Sequence, residues 1–517
     1  MQAHSLSLAL IGLDAQPIVV EVDASRGPTS FHLVGLPEAS VRESRVRVKA
    51  ALEQAGVDID EFVLTVNLSP ADLRKSGGAL DLAIALAVLG ALRVLPAEPL
   101  AEIVCLGELA LSGHLRPVRG VLPALFAARE KGLRKAIVPR ANQREAALAK
   151  GIAVRVADHV NDILEHLRGT RELERPEPAP ADESPATSST VDFSEVRGQL
   201  AARRALEIAA AGGHNTILFG PPGAGKTMLA SRLPTILPPL ADEEALTLTA
   251  IYSVCGLLDP AQGVARTRPF RAPHHTISAV GLVGGGAPIR PGEVSLAHEG
   301  CLFLDELLEF KRCALEALRQ PLEDGVVTIS RARERITFPA RPMVVAAVNP
   351  CPCGYAPAPR CTCSRDRIEK YVARLSGPVL DRLDLQVALP QADVADLVGG
   401  ESGENSAAIR ARVLRARDAQ AERVRRGEVA STNNTTLGNA DVARVVRLDA
   451  RGATLLRAAT ERLGLSGRAY MKVLRVARTI ADLEGSTAVL AAHVAEAVQL
   501  RLPARSRPGP VEAQPVR

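Results

Sequence analysis

The run GPPGAGKT, Gly220–Thr227, has the glycine and lysine spacing of a phosphate-binding loop. In such a loop the backbone N–H groups face the phosphates, the lysine contacts the β- and γ-phosphates, and the hydroxyl binds Mg²⁺. We therefore expect Lys226 and Thr227 to take these two roles on ATP. An ordinary glycine-rich turn is the alternative, but the apolar run Thr216–Phe219 predicts the strand that leads into such a loop. The other residues predicted to surround the phosphates are Gly220, Pro221, Pro222, Gly223, Ala224 and Gly225.

Two carboxylates follow a second apolar run, Cys301–Leu304. We expect Asp305 to hold Mg²⁺ and Glu306 to polarise the attacking water, because phosphoryl transfer depends on positioning and charge compensation. An apolar strand that ends in Asp-Glu is common by itself, but after a phosphate-binding loop it indicates ATP hydrolysis. A third apolar run, Met343–Val348, ends at Asn349, which is placed to orient the same water. An asparagine that caps a turn is the alternative.

Two arginines are candidates for contacts to the γ-phosphate. Arg382 lies in the run SGPVLDRLDL, a polar turn after a helix, where its guanidinium could reach the nucleotide of a neighbouring subunit. Arg468 begins a helix-like run and could contact phosphate from a lid, with Arg475 as the competing lid residue. For each arginine the alternative is a salt bridge at the surface.

Four of the eight cysteines crowd into one short segment with the spacing C-x-C-x7-C-x-C. They are Cys351, Cys353, Cys361 and Cys363. Four thiolates in a short loop can close a tetrahedral metal site, for which zinc is the first candidate. Four free or redox-active thiols are the alternative.

The run GVVTISRARERITFP, Gly325–Pro339, contains two alternating β-like segments joined by a charged tip, which predicts a hairpin. Arg331, Arg333 and Arg335 are spaced by two and should project from one face if the strand continues through them. A basic finger that binds DNA is one interpretation of this face. A solvated surface hairpin is the other.

The whole chain must supply the elements that position these residues. Its 517 residues are enough for about three domains. With 47% hydrophobic and 23% charged residues it is close to the globular average, which excludes a mostly disordered, fibrous or membrane-embedded chain. A net charge of +5 does not by itself identify a nucleic-acid-binding protein. The N-terminus lacks a basic signal region and the longest apolar run, Leu80–Leu92, is too short to span a bilayer, so we expect a cytoplasmic protein.

Composition divides the chain into three folded parts. Residues 1–168 alternate strand-like and helix-like runs and predict an α/β domain, whereas the proline-rich stretch 169–190 predicts a disordered linker. Residues 191–397 contain the three apolar runs described above, which are typical of buried parallel strands. Residues 398–502 are patterned as helices, and the proline- and arginine-rich residues 503–517 predict a disordered tail.

Taken together, the motifs make the sequence similar to the bacterial magnesium-chelatase-like AAA+ ATPases of the ComM/YifB family. The resemblance covers almost the whole chain. Its most distinctive part is RPFRAPHHTISAVGLVGGGAPIRPGEVSLAHEGCLFLDEL, Arg268–Leu307, followed by NPCPCG and SGPVLDRLDL. The resemblance implies a P-loop AAA+ core with a parallel sheet, a helix-2 insert, a pre-sensor hairpin at Gly325–Pro339 and a C-terminal helical lid. Arg382 and Arg468 match the family's arginine-finger and lid-sensor positions.

Residues 1–168 resemble the Lon-protease-like domain, of the ribosomal-S5-like α/β type, at the N-terminus of this family. That resemblance raises the hypothesis of a protease. Alignment of Lys75–Asp81 with the Lon nucleophile motif places Ala79 where the serine should stand, and alignment of the lysine segment places Leu122 at the general-base position. Without a nucleophile and its activating amine, covalent peptide hydrolysis has no chemistry to use.

The resemblance implies an ATP-hydrolysing homohexameric ring that acts on branched or single-stranded DNA. On the basis of this resemblance we expect a branch-migration helicase of homologous recombination or natural transformation. Its expected cofactors are ATP, Mg²⁺ and zinc, and we expect no membrane partner. A magnesium-chelatase-type motor that drives metal insertion through partner subunits is the alternative. A third alternative, an ATP-dependent protease, conflicts with Ala79 and Leu122.

Overall fold

The computed structural model describes residues 1–75, 77–178, 191–331, 335–375, 377–391 and 403–501. The predicted tail 503–517, the greater part of the predicted linker 169–190, and Arg333 lie outside these residues. Within the described ranges, no helix combines the length and the apolar character needed to cross a membrane.

The N-terminal part is a mixed α/β unit built around one sheet. Its strands are β1 (Gln2–Ile11), β2 (Asp14–Arg26), β3 (Ser30–Val34), β4 (Phe62–Ser69), β5 (Ile103–Cys105), β6 (Glu108–Leu109), β7 (Leu115–Arg116), β8 (Lys135–Pro139) and β9 (Ala153–Ala157). Its helices are α1 (Ala39–Arg42), α2 (Ser44–Gln54), α3 (Asp81–Ala91), α4 (Val121–Glu130), α5 (Gln143–Ala146) and α6 (Val160–Leu167). The seven-stranded sheet has the order β3-β4-β2-β1-β5-β8-β9, and β6 pairs with β7 in a separate ribbon.

Helix α3 lies at the centre of this unit because it is apolar on every side. All of its residues are buried, and a helix without a polar face can be stable only inside a core. Its single charge, Asp81, accepts hydrogen bonds from Arg47 Nε at 2.6 Å and from the Ser44 hydroxyl. These partners satisfy a carboxylate that would otherwise be costly to bury.

The central part is built on a parallel sheet. Its strands are β10 (Thr216–Phe219), β11 (Phe270–Arg271), β12 (Gly284–Gly285), β13 (Arg290–Pro291), β14 (Cys301–Leu304), β15 (Val326–Ser330), β16 (Arg335–Pro339), β17 (Met343–Val348) and β18 (Leu385–Ala388). Its helices are α7 (Leu200–Gly212), α8 (Lys226–Ile236), α9 (Asp242–Cys255), α10 (Ala279–Val283), α11 (Glu293–Leu296), α12 (Arg312–Ala317), α13 (Arg319–Asp324), α14 (Arg365–Val372) and α15 (Gly377–Leu380).

The five-stranded sheet has the order β11-β14-β17-β10-β18, and all neighbouring pairs in it run parallel. Phe219 at the end of β10 pairs with Val348, and Leu304 at the end of β14 pairs with Ala346. The residues that follow β10, β14 and β17 therefore leave the sheet at the same edge, which is where ligands bind in open parallel sheets.

The C-terminal part is helical and packs on the central part. Its helices are α16 (Ser406–Arg425), α17 (Asn439–Val445), α18 (Ala450–Leu463), α19 (Gly467–Leu483) and α20 (Ala491–Gln499). Lys472 of α19 forms a buried ion pair with Asp384, which directly precedes β18, with Nζ and Oδ1 2.6 Å apart. Burial alone would raise the pKa of Asp384, but Lys472 and His214 outweigh it and hold that pKa well below its ordinary value. This pair fixes the lid on the core.

A buried polar contact joins the N-terminal unit to α9. The backbone N–H of Gly120 donates to the Ser253 hydroxyl at 3.0 Å, and that hydroxyl donates to Oε2 of Glu145 at 2.5 Å. Burial raises the pKa of Glu145, although the hydrogen bonds that its carboxyl accepts act in the opposite direction.

A second, apolar contact joins the turn between β1 and β2 to the β15–β16 hairpin. Ile11 and Leu13 pack with the buried side chains of Ile336 and Phe338. A Cβ atom on Gly12, which has φ 67°, would lie 2.4 Å from Cγ2 of Ile336. The N-terminal unit therefore rests directly on the strand that follows the basic tip.

Candidate active site

The phosphate-binding loop connects β10 to α8, which begins at Lys226. Gly225, just before the helix, has φ 86°, a left-handed conformation that favours glycine. The Lys226 ammonium donates to the carbonyl oxygens of Gly220 at 2.6 Å and Pro221 at 3.0 Å. It also donates to Oδ1 of Asn349 at 3.0 Å. The lysine predicted to bind phosphate and the asparagine predicted to orient water are therefore in direct contact.

The residues predicted to bind Mg²⁺ also lie side by side. The Thr227 hydroxyl donates to Oδ2 of Asp305 at 3.0 Å. Hydroxyl and carboxylate oxygens are ligands that Mg²⁺ prefers, so this donor set fits a magnesium ion held together with ATP phosphates. Burial lowers the pKa of Lys226, and the charges of Asp305 and Glu306 oppose that shift. The Lys226 ammonium and the carboxylates of Asp305 and Glu306 are therefore close enough to interact electrostatically.

Glu306 has a backbone conformation that is rare for a residue with a side chain. Its φ is 50°, in the left-handed region, and its N–H donates to Oδ1 of Asp305 at 2.9 Å. Such conformations cost free energy and concentrate at functional sites. Oε2 of Glu306 lies 3.3 Å from Nδ1 of His275.

The two predicted arginines meet on one carboxylate. Arg382 Nη2 lies 2.6 Å from Oε1 of Glu323, and Arg468 Nη1 lies 3.8 Å from the same oxygen. The Arg382 side chain is 13% exposed and that of Arg468 is 72% exposed, so Arg382 is largely buried at this contact and Arg468 faces solvent. Arg475, the competing lid residue, is half-buried and interacts with the charge of Asp384 at the contact between core and lid.

The four clustered cysteines form a compact thiol set. All four Sγ atoms lie within 4.8 Å of one another. The Sγ atom of Cys351 is 3.3 Å from that of Cys353 and 3.7 Å from that of Cys361. A tetrahedral zinc site with Zn–S bonds of about 2.3 Å has sulfur atoms about 3.8 Å apart, so the geometry fits the ion. Backbone N–H groups of Tyr355 and Thr362 lower the pKa of Cys353 to about 6, whereas burial and the neighbouring thiols raise the pKa of Cys361 to about 11. The case for a metal therefore rests on the spacing of the sulfur atoms.

The predicted hairpin is present as β15 and β16, with Ser330 opposite Arg335. Arg331 and Arg335 are exposed on either side of its tip, and Arg333 lies outside the described residues. Basic side chains at the end of a short antiparallel ribbon suit contact with a phosphate backbone.

The positions aligned with the Lon catalytic pair have structural roles. Leu122 is fully buried in α4, and the Ala79 carbonyl accepts a hydrogen bond from the Gly107 N–H at 3.0 Å. Neither aliphatic side chain can attack a carbonyl or take up a proton.

Two residues that contact the predicted site were not found from the sequence. They are His275, on Glu306, and Glu323, on Arg382 and Arg468. Each is distant along the chain from its partner, so no local spacing connects them. The only signal for His275 was its place within the distinctive run Arg268–Leu307.

A parallel sheet with a phosphate-binding loop after β10 and a carboxylate pair after β14, followed by a helical lid, defines an AAA+ ATPase. Three family models match the chain: "Magnesium chelatase, subunit ChlI" over residues 192–397, "Subunit ChlI of Mg-chelatase" over residues 20–142, and "Magnesium chelatase, subunit ChlI C-terminal" over residues 403–501. The chain belongs to the magnesium-chelatase-like AAA+ ATPases of the ComM/YifB family. This membership implies ATP and Mg²⁺ as its nucleotide and metal.

Individual relatives agree with this assignment. The chain is 44% identical over 494 residues to the YifB protein of Escherichia coli, covering 95% of this chain and 96% of that protein. It is 43% identical over 499 residues to the competence protein ComM of Haemophilus influenzae, covering 96% of each chain. The archaeal Lon protease of Pyrococcus abyssi is 27% identical over 169 residues, which are 31% of this chain and 17% of that protein. The predicted mixed α/β fold, with Lon-like homology and C-terminal helices, is confirmed.

Proposed function

We propose that six copies of this chain form a ring that hydrolyses ATP to move along branched or single-stranded DNA. In this proposal the ring is a cytoplasmic branch-migration helicase of homologous recombination or natural transformation. The name of the Haemophilus influenzae relative, a competence protein, supports the link to transformation.

The observation that carries the proposal is the position of α13. Glu323, near the end of α13, contacts both Arg382 and Arg468. One residue after the helix, at Gly325, the chain turns with φ 68° into β15 and the basic hairpin. A single short element therefore joins the side chains predicted to sense phosphate to those predicted to contact DNA. A translocating motor requires a connection of this kind.

A ring follows from the role proposed for Arg382. If its guanidinium acts on the nucleotide of a neighbour, the contact is head-to-tail, and such a contact gives a ring when the rotation between successive copies closes, as this proposal requires. The phosphate-binding loop and Arg382 of one chain would then contribute to two different ATP sites.

The cysteine cluster, Cys351, Cys353, Cys361 and Cys363, is proposed to hold one zinc ion. The fit of its sulfur spacing to a tetrahedral site supports this. The ion would have a structural role, because four protein thiolates leave no open position for substrate.

A magnesium-chelatase motor is the second candidate, because the matching family models are named for a chelatase subunit. The two candidates differ in what should accelerate ATP hydrolysis. For the DNA motor it is nucleic acid, whereas for the chelatase motor it is a porphyrin together with partner subunits.

The test compares the rate of ATP hydrolysis by the full chain alone with its rate after addition of a four-way DNA junction, single-stranded DNA or duplex DNA. A porphyrin is the control addition. We expect branched and single-stranded DNA to raise the rate several-fold and the porphyrin to leave it unchanged. A rate that no form of DNA raises above that of the chain alone would contradict a DNA motor.

A further inference from the structure

The β15–β16 hairpin has one apolar face and one polar face. Two of its cross-strand pairs are apolar, Ile329 with Ile336 and Val327 with Phe338. Successive residues of a strand point to opposite faces, so Arg335 lies on the other face, where it is exposed. A two-stranded ribbon is only marginally stable in water unless its apolar face packs against another element. The hairpin therefore depends on the residues that cover that face.

The turn between β1 and β2 covers the apolar face. Ile336 and Phe338 form a small buried cluster with Ile289, and Ile11 and Leu13 of the turn pack against it. We call this set of five residues the turn cluster. Ile289 directly precedes β13, so the cluster also includes the β12–β13 ribbon. Three segments that are distant along the chain therefore share one small core.

The fit between the turn and the hairpin is close at Gly12. A Cβ atom on this residue would overlap Cγ2 of Ile336 and would lie 3.5 Å from Cε1 of Phe338. The φ angle of Gly12 is 67°, in the left-handed region that favours glycine. Both the space and the backbone conformation therefore require glycine at the point where the turn meets the hairpin.

The N-terminal unit is also anchored to the central part at a second point. β1 pairs with β2 along its whole length, so the arm that carries the turn is stiffened by a continuous ladder of hydrogen bonds. At the second point the Ser253 hydroxyl of α9 accepts from the Gly120 N–H and donates to Glu145. Leu246 of the same helix packs against the core of the N-terminal unit. The hairpin therefore rests on a body that is itself fixed to the central part.

We propose that the N-terminal unit holds the basic hairpin in one orientation and so prepares it to contact DNA. A hairpin that is ordered before binding loses less conformational entropy when it binds, which raises its affinity. The support does not hide Arg335, which lies on the face away from the turn cluster. The DNA contact rests on the proposed function, whereas the support of the hairpin rests on the turn cluster alone.

The test compares the full chain with a variant that carries Ile11→Ser and Leu13→Ser. Hydrogen exchange in the peptide that spans Val326–Pro339 should become about tenfold faster, because the strand pair opens more often without its packing. The dissociation constant for single-stranded DNA should rise about fivefold, since the hairpin must then be ordered on binding. ATP hydrolysis without DNA should stay within about twofold of the wild type, because neither residue belongs to the nucleotide site.

The matched control carries Val46→Ser and Leu111→Ser. Both are exposed apolar residues of the N-terminal unit and lie outside the turn cluster. We expect this control to keep the wild-type hydrogen exchange in the hairpin and the wild-type affinity for DNA. Leu13→Ser alone is the milder variant, and it should shift both measurements in the same direction by a smaller factor. Thermal unfolding shows which proteins are folded, and the single variant provides the comparison if the double variant unfolds.

Three results would overturn the proposal. They are hairpin exchange at the wild-type rate in the double variant, equal acceleration in the control, and an affinity for DNA that stays the same or rises although the hairpin exchanges faster. Failure of the DNA motor gives a different result. A wild-type chain that does not bind single-stranded DNA would contradict that motor, whereas faster exchange in the double variant would still show that the N-terminal unit supports the hairpin.

Discussion

Gly354 of the cysteine loop lies directly against Pro222 of the phosphate-binding loop: a Cβ atom on Gly354 would be 2.6 Å from Cδ of Pro222. The same loop begins just after Asn349, which accepts a hydrogen bond from Lys226. The cysteine cluster is therefore attached to the nucleotide site at two points. A metal ion that fixes the loop would also fix these contacts.

We expect the purified protein to contain about one zinc ion per chain. Replacement of Cys361 and Cys363 by serine should release it, lower Tm and raise KM for ATP, because the loop would no longer support the phosphate-binding loop. Cys313→Ser is the control, since this exposed cysteine lies outside the cluster. Metal analysis measures the zinc content, and thiol titration counts the free cysteines. Protein without zinc and with four titratable thiols in the loop would show that the cluster is not a metal site.

Lys226→Ala and Glu306→Gln should fail at different steps. Loss of the ammonium removes a charged contact to bound phosphate, so we expect ATP to bind about 10- to 100-fold more weakly. Loss of the Glu306 carboxylate removes the group that acts on water, so we expect near-normal binding and a kcat lower by about 100-fold or more. Equilibrium binding of a fluorescent ATP analogue, measured beside turnover, separates the two. Near-normal turnover of Glu306→Gln would exclude that carboxylate from the mechanism.

Arg382 should act on the ATP of a neighbouring subunit. Arg382→Ala and Lys226→Ala should each abolish hydrolysis alone, yet an equimolar mixture should recover activity. If subunits mix at random, about a quarter of the sites combine an intact lysine with an intact neighbouring arginine. A mixture that stays inactive, although native mass spectrometry shows mixed rings, would place Arg382 at its own chain's site.

Much of the nucleotide site could be predicted because it is local in sequence. The runs Thr216–Phe219, Cys301–Leu304 and Met343–Val348 coincide with β10, β14 and β17, since each is a buried strand bounded by polar residues or glycine. Strand β1 was not predicted. Two of its buried positions are Ser5 and Ser7, whose hydroxyls donate to the carbonyl oxygens of Ala83 and Cys105 respectively. Its sequence therefore lacks the regular apolar alternation that predicts a strand.

The contacts that His275 and Glu323 make in the site could not be predicted from the sequence, for a different reason. His275 meets Glu306, and Glu323 meets Arg382 and Arg468, only because the sheet and the lid bring distant segments together. Sequence spacing reports neighbours along a helix or strand, whereas these pairs depend on tertiary packing.

The N-terminal unit should show no peptidase activity on any unfolded protein, with or without ATP. Both positions of the Lon-type pair, Ala79 and Leu122, are aliphatic, and Leu122 is fully buried in the core. Release of fluorescent fragments from labelled casein is a suitable assay. Cleavage that persists through purification and is lost on substitution of a residue within 1–168 would show that another group in this unit acts as a nucleophile.

The β15–β16 hairpin should grip the DNA backbone. Six copies of a basic tip around a ring axis would concentrate positive potential without sequence preference, as a translocating motor requires. Changing Arg331, Arg333 and Arg335 to alanine should weaken binding to single-stranded DNA and lower the DNA-stimulated rate. Basal hydrolysis should be spared, since Lys226 and Asp305 are unchanged.

The salt dependence of binding gives the sharpest readout for this hairpin. Loss of three phosphate contacts should lower the slope of log K against log salt concentration by about 2 for single-stranded DNA, because each contact releases a counterion. The control changes Arg312, Arg365 and Arg451, which are exposed at other places, and so removes the same charge without touching the hairpin. If the hairpin variant keeps the wild-type affinity and slope, or if the control loses as much, DNA does not bind at this tip. The arginine-rich helix α16 would then be the next basic surface to test, because its length presents several guanidinium groups along one element.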